Sequence, residues 1–196
     1  FMKKNKSNIV LNDMIFSRSI TKIDTLKKYI DYLYPISNTK EDLNAKKQFK
    51  YNNLELMQNY FYEFWYTRNP NNPFFEWQNY LLQVKSVNEL FRNQRKKGYL
   101  TDRGRVYLQY GAPNSINKVE DPSSTYPFEI WHYYKLKNQS DKKFVFVNRN
   151  PATNEYRLVY SNVTGESTNL EWIRKIEQNE IPELGNDFND NYLNPR

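Results

Sequence analysis

The chain has 196 residues, a formal net charge of +7, 17% aromatic residues, five glycines and no cysteine. That length suits one domain, or one domain with a helical extension, and the apolar content excludes a wholly disordered chain. The lack of cysteine excludes disulfides, thiolate metal sites, a cysteine nucleophile and an acylated lipoprotein cysteine within these residues, and no run approaches the roughly 18 apolar residues of a membrane-spanning helix.

Residues 1–20 are basic and polar with scattered aliphatics such as Ile9, Val10 and Leu11, a pattern that fits an edge strand or an extended arm. The opening Phe1-Met2-Lys3-Lys4 lacks the apolar core of a signal peptide, so the chain reads as a processed or excised part of a longer precursor. From Ile23 the apolar residues Ile23, Leu26, Ile30 and Leu33 keep a helical spacing that Pro35 stops. The polar, lysine-rich stretch from Ser37 to Lys50 reads as a surface loop with at most one helical turn.

Leu54, Met57, Phe61, Phe64 and Trp65 then mark one face of a helix running to about Arg68 and ended by Asn69-Pro70. Phe74, Trp77, Leu81, Val84, Val87, Leu90 and Phe91 continue a helical period to about Gln94, and the two long helices are expected to form a hairpin.

Residues 98–113, GYLTDRGRVYLQYGAP, form the densest motif of the chain. Gly98 and Gly104 bracket Thr101, Asp102 and Arg103, which predicts a tight, charged turn with glycine where φ is positive or the backbone is closely approached. From Arg105 to Tyr110 the residues alternate, with Val106, Leu108 and Tyr110 on one face, which predicts a half-buried strand; Gly111 and Pro113 end it. Strand-like runs follow at 128–134, 143–148 and 155–161, so that four strands make an antiparallel meander. Leu170, Ile173 and Ile176 predict a closing helix over 169–176, and the acidic, polar residues beyond it an extended tail. The fold expected is therefore α+β: N-terminal helices, including a hairpin, packed on a small antiparallel four-strand sheet, with a C-terminal helix and an extended tail.

The motif at Gly98, Tyr99, Thr101 and Asp102 resembles that of the Gly-Trp-x-Thr-Asp (GWxTD) domain family, with Tyr99 in place of the family's tryptophan. Phe64-Trp65 with Arg68, and Tyr80, Val84, Asn88 and Phe91, are similar to the helical segment that precedes the motif in that family, so the resemblance covers about residues 50–177. It divides the chain into an arm with a short helix (1–50), a GWxTD-like α+β domain (51–177) and an acidic tail (178–196). It also implies a cell-envelope protein of Gram-negative bacteria, periplasmic or associated with the outer membrane, in a family without an established activity. Asp24-Thr25-Leu26 fits the loose tripeptide of an envelope O-glycosylation site, a pattern common by chance.

Each motif residue has a structural and a functional reading. Asp102 is expected to cap the turn by accepting backbone N–H bonds, and Arg103 or Arg105 to pair with a carboxylate such as Glu129. The functional alternative makes Asp102, Glu129 and His132 a carboxylate and histidine site acting on glycan or peptide. His132, the only histidine, falls on the strand face of Phe128, Ile130 and Tyr134, where a packed, hydrogen-bonded role is the simpler expectation. No serine-hydrolase motif, phosphate loop or metal-ligand spacing is present, so neither enzyme activity nor a metal or other cofactor is predicted, though the Asn- and Asp-rich tail leaves room for an oxygen-only calcium site.

Arg92, Arg95, Lys96, Lys97 and Arg105 gather positive charge that only Asp102 opposes locally. Such a patch attracts acidic protein, lipid head groups or nucleic acid alike, but the aromatics fall at core periodicities without a nucleic-acid-binding motif. The preferred function is a non-catalytic interaction or scaffold module of a cell-envelope assembly, with protein partners rather than nucleic acid or a small-molecule substrate. An excess of aromatic residues suited to interfaces supports it.

Overall fold

The computed structural model describes residues 16–120, 125–166 and 168–176. Most of the arm expected over 1–20 and the whole acidic tail, 178–196, lie outside the described residues. The chain divides into two compact units, Phe1–Leu90 and Phe91–Arg196. Among the described residues six α-helices and one four-stranded antiparallel sheet form the α+β fold, with helices in the N-terminal part and strands in the C-terminal part.

The first unit is helical. Helix α1 (Ile23–Asp31) buries Leu26 and Ile30 and gives way to a turn of 3₁₀ helix at Tyr34–Ile36, where Pro35 prevents continuation. This places the Asp24-Thr25-Leu26 tripeptide inside a helix, with Leu26 in the core. Helix α2 (Thr39–Tyr51) corrects the loop expected there. Only Ala45 of this helix is buried, so hydrophobic periodicity is silent, and the helix rests on its ends. The Asn38 side chain accepts from the backbone N–H groups of Lys40 and Glu41 at 2.9 and 3.0 Å, and Glu41 accepts from Asn38 N at 2.8 Å, a complete capping box.

Helices α3 (Leu54–Tyr66) and α4 (Pro73–Phe91) are the expected pair, capped by the Asn53 and Asn72 side chains. They meet through rings: Phe61 and Trp65 lie 4.9 and 5.7 Å from Trp77, and Trp65 lies 5.4 Å from Tyr80. Tyr29 of α1 adds a contact to Trp77 at 4.8 Å. The buried Tyr80 hydroxyl donates to the Tyr32 carbonyl at 2.7 Å, as a phenol placed among rings requires.

The second unit holds the sheet, in the order β1-β2-β3-β4: β1 (Ser115–Val119), β2 (Phe128–Leu136), β3 (Gln139–Val147) and β4 (Arg157–Ser161). The three later runs are the expected strands. The first is not: Arg105–Tyr110 belongs to helix α5 (Asp102–Tyr110), and Ser115–Val119 takes the first place in the sheet. A start signal outweighs the alternation of Val106, Leu108 and Tyr110, because Thr101 caps the helix by accepting from Gly104 N at 3.1 Å. Of the two reasons for glycine weighed at Gly98 and Gly104, positive φ does not apply: both are buried in helical turns, whereas Gly111 ends the helix at φ 84°.

Both faces of the sheet are covered. Glu129, Trp131 and Tyr133 of β2 face α5, where Val106, Phe144, Phe146 and Tyr156 complete a core with Phe91, Tyr107 and Tyr110 against it. Phe128, Ile130, Val145 and Val147 point the other way, toward Trp172 and Ile176 of helix α6 (Trp172–Ile176). The closing helix is shorter than expected, and Leu170, placed on its inner side by the sequence pattern, is 82% exposed, with Trp172 buried instead. All four tryptophans are at most 4% exposed and belong to cores, whereas Tyr34, Tyr51, Phe74, Phe75 and Tyr134 stay exposed. No helix among the described residues is long and apolar enough to cross a membrane.

Candidate functional site

The motif begins in a 3₁₀ turn, Gly98–Leu100, whose Tyr99 ring is fully buried. Thr101 closes this turn and opens α5 in one residue: its hydroxyl donates to the Gly98 carbonyl at 2.7 Å while accepting from Gly104 N. Asp102 does not cap the turn, as the sequence led us to expect. Its carboxylate reaches across to β4 and accepts from the backbone N–H of Leu158 at 2.7 Å. Because β4 is an edge strand, the aspartate fills a position that a further strand would otherwise occupy.

Arg103 pairs with Glu129 at 3.0 Å, as one of the expected pairings had it, with side chains 8% and 4% exposed. The guanidinium lies 3.9 Å from the Tyr156 ring centre and 5.2 Å from that of Phe91. The second oxygen of Glu129 accepts from Trp131 Nε1 at 2.9 Å, and Lys118 approaches the first at 3.6 Å. Burial disfavours the Arg103 charge and holds its pKa below the usual arginine value, although Glu129 works against that shift.

Arg105 belongs to the same framework rather than to the exposed basic patch. It makes two 2.8 Å bonds to the Glu166 carboxylate, which also accepts from the Tyr110 hydroxyl at 2.8 Å. Burial penalises the Arg105 charge, yet the paired carboxylate more than compensates and raises its pKa. Burial would likewise raise the Glu166 carboxyl, but bonds from Arg105 and Tyr110 hold it below its ordinary value.

Asp102, Glu129 and His132 do not converge. Glu129 lies on the α5 side of β2, whereas His132 shares the parity of Phe128 and Ile130 on the opposite side. His132 is half-buried and contacts Asp141 through Nε2 at 2.6 Å, with the Tyr134 ring set edge-on at 4.9 Å. Desolvation opposes the Asp141 charge, but His132 and Lys143 together outweigh it and keep that carboxyl below the usual range.

Of the expected basic surface, Arg92, Arg95, Lys96 and Lys97 are exposed, and Lys96 pairs with Glu155 at 3.2 Å. Arg95 lines a groove of about 400 Å³ with Arg149, Arg157, Asn150, Thr153 and Glu155 over Val147, Leu158 and Val159. A smaller cavity of about 140 Å³, lined by Lys96, Thr101, Asp102 and Tyr156, shares Glu155 and Arg157 with it. Sequence reading missed Arg149, Glu155 and Arg157 at this groove, and Tyr156 and Glu166 at the motif. Glu155 and Arg157 stand two apart beside β4, a readable signal; Glu166 lies 61 residues from Arg105, with no local signal at all.

Fold and site together define a small α+β protein in which a capped, charged helix is locked onto an antiparallel meander. The chain belongs to the GWxTD domain family, whose model matches residues 2–179 and so takes in α1 and α2 as well as the motif. No curated protein and no solved structure is detectably similar to the chain.

Proposed function

We propose that this protein is a non-catalytic interaction module of a bacterial cell-envelope assembly and binds a protein partner through the exposed basic surface around Arg92, Arg95 and Lys97. One observation carries the reading: the motif's polar side chains are taken up inside the fold. Thr101 caps, Asp102 holds Leu158, Arg103 holds Glu129 and Arg105 holds Glu166. A motif used in this way builds a scaffold, and the cations beside it remain on the surface. The envelope location and the assembly rest on the family resemblance.

The test is gentle affinity isolation of the native protein from a solubilised envelope, with cross-linking and mass spectrometry. The expected result is a stoichiometric partner cross-linked at Lys97 or its neighbours. A protein that comes down alone, with no cross-link above background, removes the reading.

A further inference from the structure

We infer that the outer edge of β1 is a self-association site, where β1 pairs antiparallel with β1 of a second copy about Asn117 and carries the sheet across both molecules. The inference goes beyond the interaction reading above and does not depend on it. The two edges of the sheet are finished differently. At β4 the Asp102 carboxylate occupies the Leu158 N–H, and a register shift at Val145/Phe146 interrupts the pairing of β3 with β4. Neither guard is present at β1. It pairs with β2 without a break from Ser115↔His132 to Val119↔Phe128, and it contains no proline. Among the described residues only β2 hydrogen-bonds to the backbone of β1, which leaves its outward N–H and C=O groups to solvent.

The side chains of β1 indicate which strand fits there. Ile116 and Lys118 stand on the α5 side, opposite Trp131 and Glu129, while Ser115, Asn117 and Val119 stand on the other. A two-fold axis through Asn117 sets this residue against its own copy, Ile116 against Lys118 of the second copy, and Ser115 against Val119, so that all five residues of the strand are used. An asparagine amide both donates and accepts, so it is its own complement. Ile116, 45% exposed beside the fully buried Trp131, gains the methylene stem of the facing lysine. Lys118, the one charged residue of β1, leans back to Glu129 at 3.6 Å, and no like charges stand directly opposite each other. A pairing centred on Lys118 would oppose two ammonium groups instead.

The experiment is sedimentation velocity of the full chain over rising concentration, up to its solubility limit. A monomer–dimer equilibrium is expected, strengthened by salt because each chain carries a net charge of +7. Ile116→Lys sets ammonium against ammonium twice and is expected to weaken the dimer about tenfold, whereas Ile116→Glu, which faces Lys118 of the second copy, weakens it less. Asn117→Cys is expected to form an intermolecular disulfide under mild oxidation, because facing residues bring their Cβ atoms within about 5 Å. The chain has no other cysteine, and Ser140→Cys, exposed on β3, is the comparator expected to cross-link poorly. Hydrogen exchange on the unaltered protein is expected to show protection at 115–119 that grows with concentration, with no matching change at 157–161.

A chain that stays monomeric to its solubility limit overturns the inference. So does a dimer that weakens with salt, a folded Ile116→Lys variant that dimerises no worse than Ile116→Glu, a disulfide no faster with Asn117→Cys than with Ser140→Cys, or exchange at 115–119 that ignores concentration. Isolation without an envelope partner removes the reading above and leaves the dimer standing.

Discussion

Each unit contains an arginine that faces an aromatic ring and pairs with a glutamate, yet the two constellations differ in depth. In the helical unit Arg68 lies 3.5 Å from the Phe64 ring centre and forms paired bonds of 2.9 and 3.0 Å to Glu41, with side chains 27% and 23% exposed. It also donates to the Phe64 and Ile36 carbonyls, tying α2, the 3₁₀ turn and α3 together. In the sheet unit Arg103 bonds to Glu129 at 3.0 Å, but in a nearly dry setting closed by Tyr156, Phe91 and Trp131. The same pairing therefore does different work. The outer pair, still hydrated, is a clasp between helices, whereas the inner one is a polar core whose partners must all be present.

The comparison predicts unequal losses. Arg103→Ala strands a buried carboxylate and is expected to cost about 3–5 kcal/mol in denaturant unfolding; a loss below that of Arg68→Ala breaks the comparison. Arg103→Lys is expected to recover only part of it, since an ammonium keeps the charge but not the planar contact with Tyr156. Arg68→Ala is expected to cost about 1–2 kcal/mol, because water can reach Glu41 once the arginine is gone.

Acid supplies the next, smaller effect. Burial would raise Glu41, but bonds from Arg68 and from Asn38 N bring it below its ordinary 4.5, and Glu166 is lowered from the same value by Arg105. A carboxyl depressed in the folded state contributes stability above its unfolded value and loses it as pH falls through the folded one. Stability is thus expected to decline below about pH 4.5, and Glu41→Gln and Glu166→Gln each to flatten that decline in thermal unfolding across pH; an unchanged slope removes the role assigned to these bonds. The smallest effect belongs to Lys46–Asp42 on α2, an exposed pair one turn apart. Asp42→Ala is expected to cost about 0.3–0.5 kcal/mol, partly masked by salt.

Where a segment buries one face, its sequence announces it. The stripes of α3 and α4 and the runs of β2 and β3 are plain because Phe61, Trp65, Trp77, Trp131 and Phe144 must all leave water. Helix α2 escaped notice because it buries almost nothing, although Asn38 and Glu41, three apart, spelled its capping box in the sequence. Helix α5 was read as a strand because Val106, Leu108 and Tyr110 obey a period of two by coincidence. Arg103, Val106, Tyr107 and Tyr110 obey the helical one, a pattern obscured by a buried arginine that counts as polar. The Arg103–Glu129 pairing could be guessed from composition near the motif. Glu166 and Arg149 could not, since only the folded meander brings them beside residues dozens of positions away.

The partners of the motif helix also set an order of events. Arg103 waits for Glu129, 26 residues later; Asp102 waits for Leu158, 56 later; Arg105 waits for Glu166, 61 later. During synthesis the helix emerges long before the chain that completes it, so its buried charges stay in water until the last strand arrives. Such long-range closure slows folding and leaves sticky intermediates in the interim. A nascent chain halted before Leu158 would expose both the arginines of α5 and the rings of β2, a form that chaperones and proteases would recognise as unfinished.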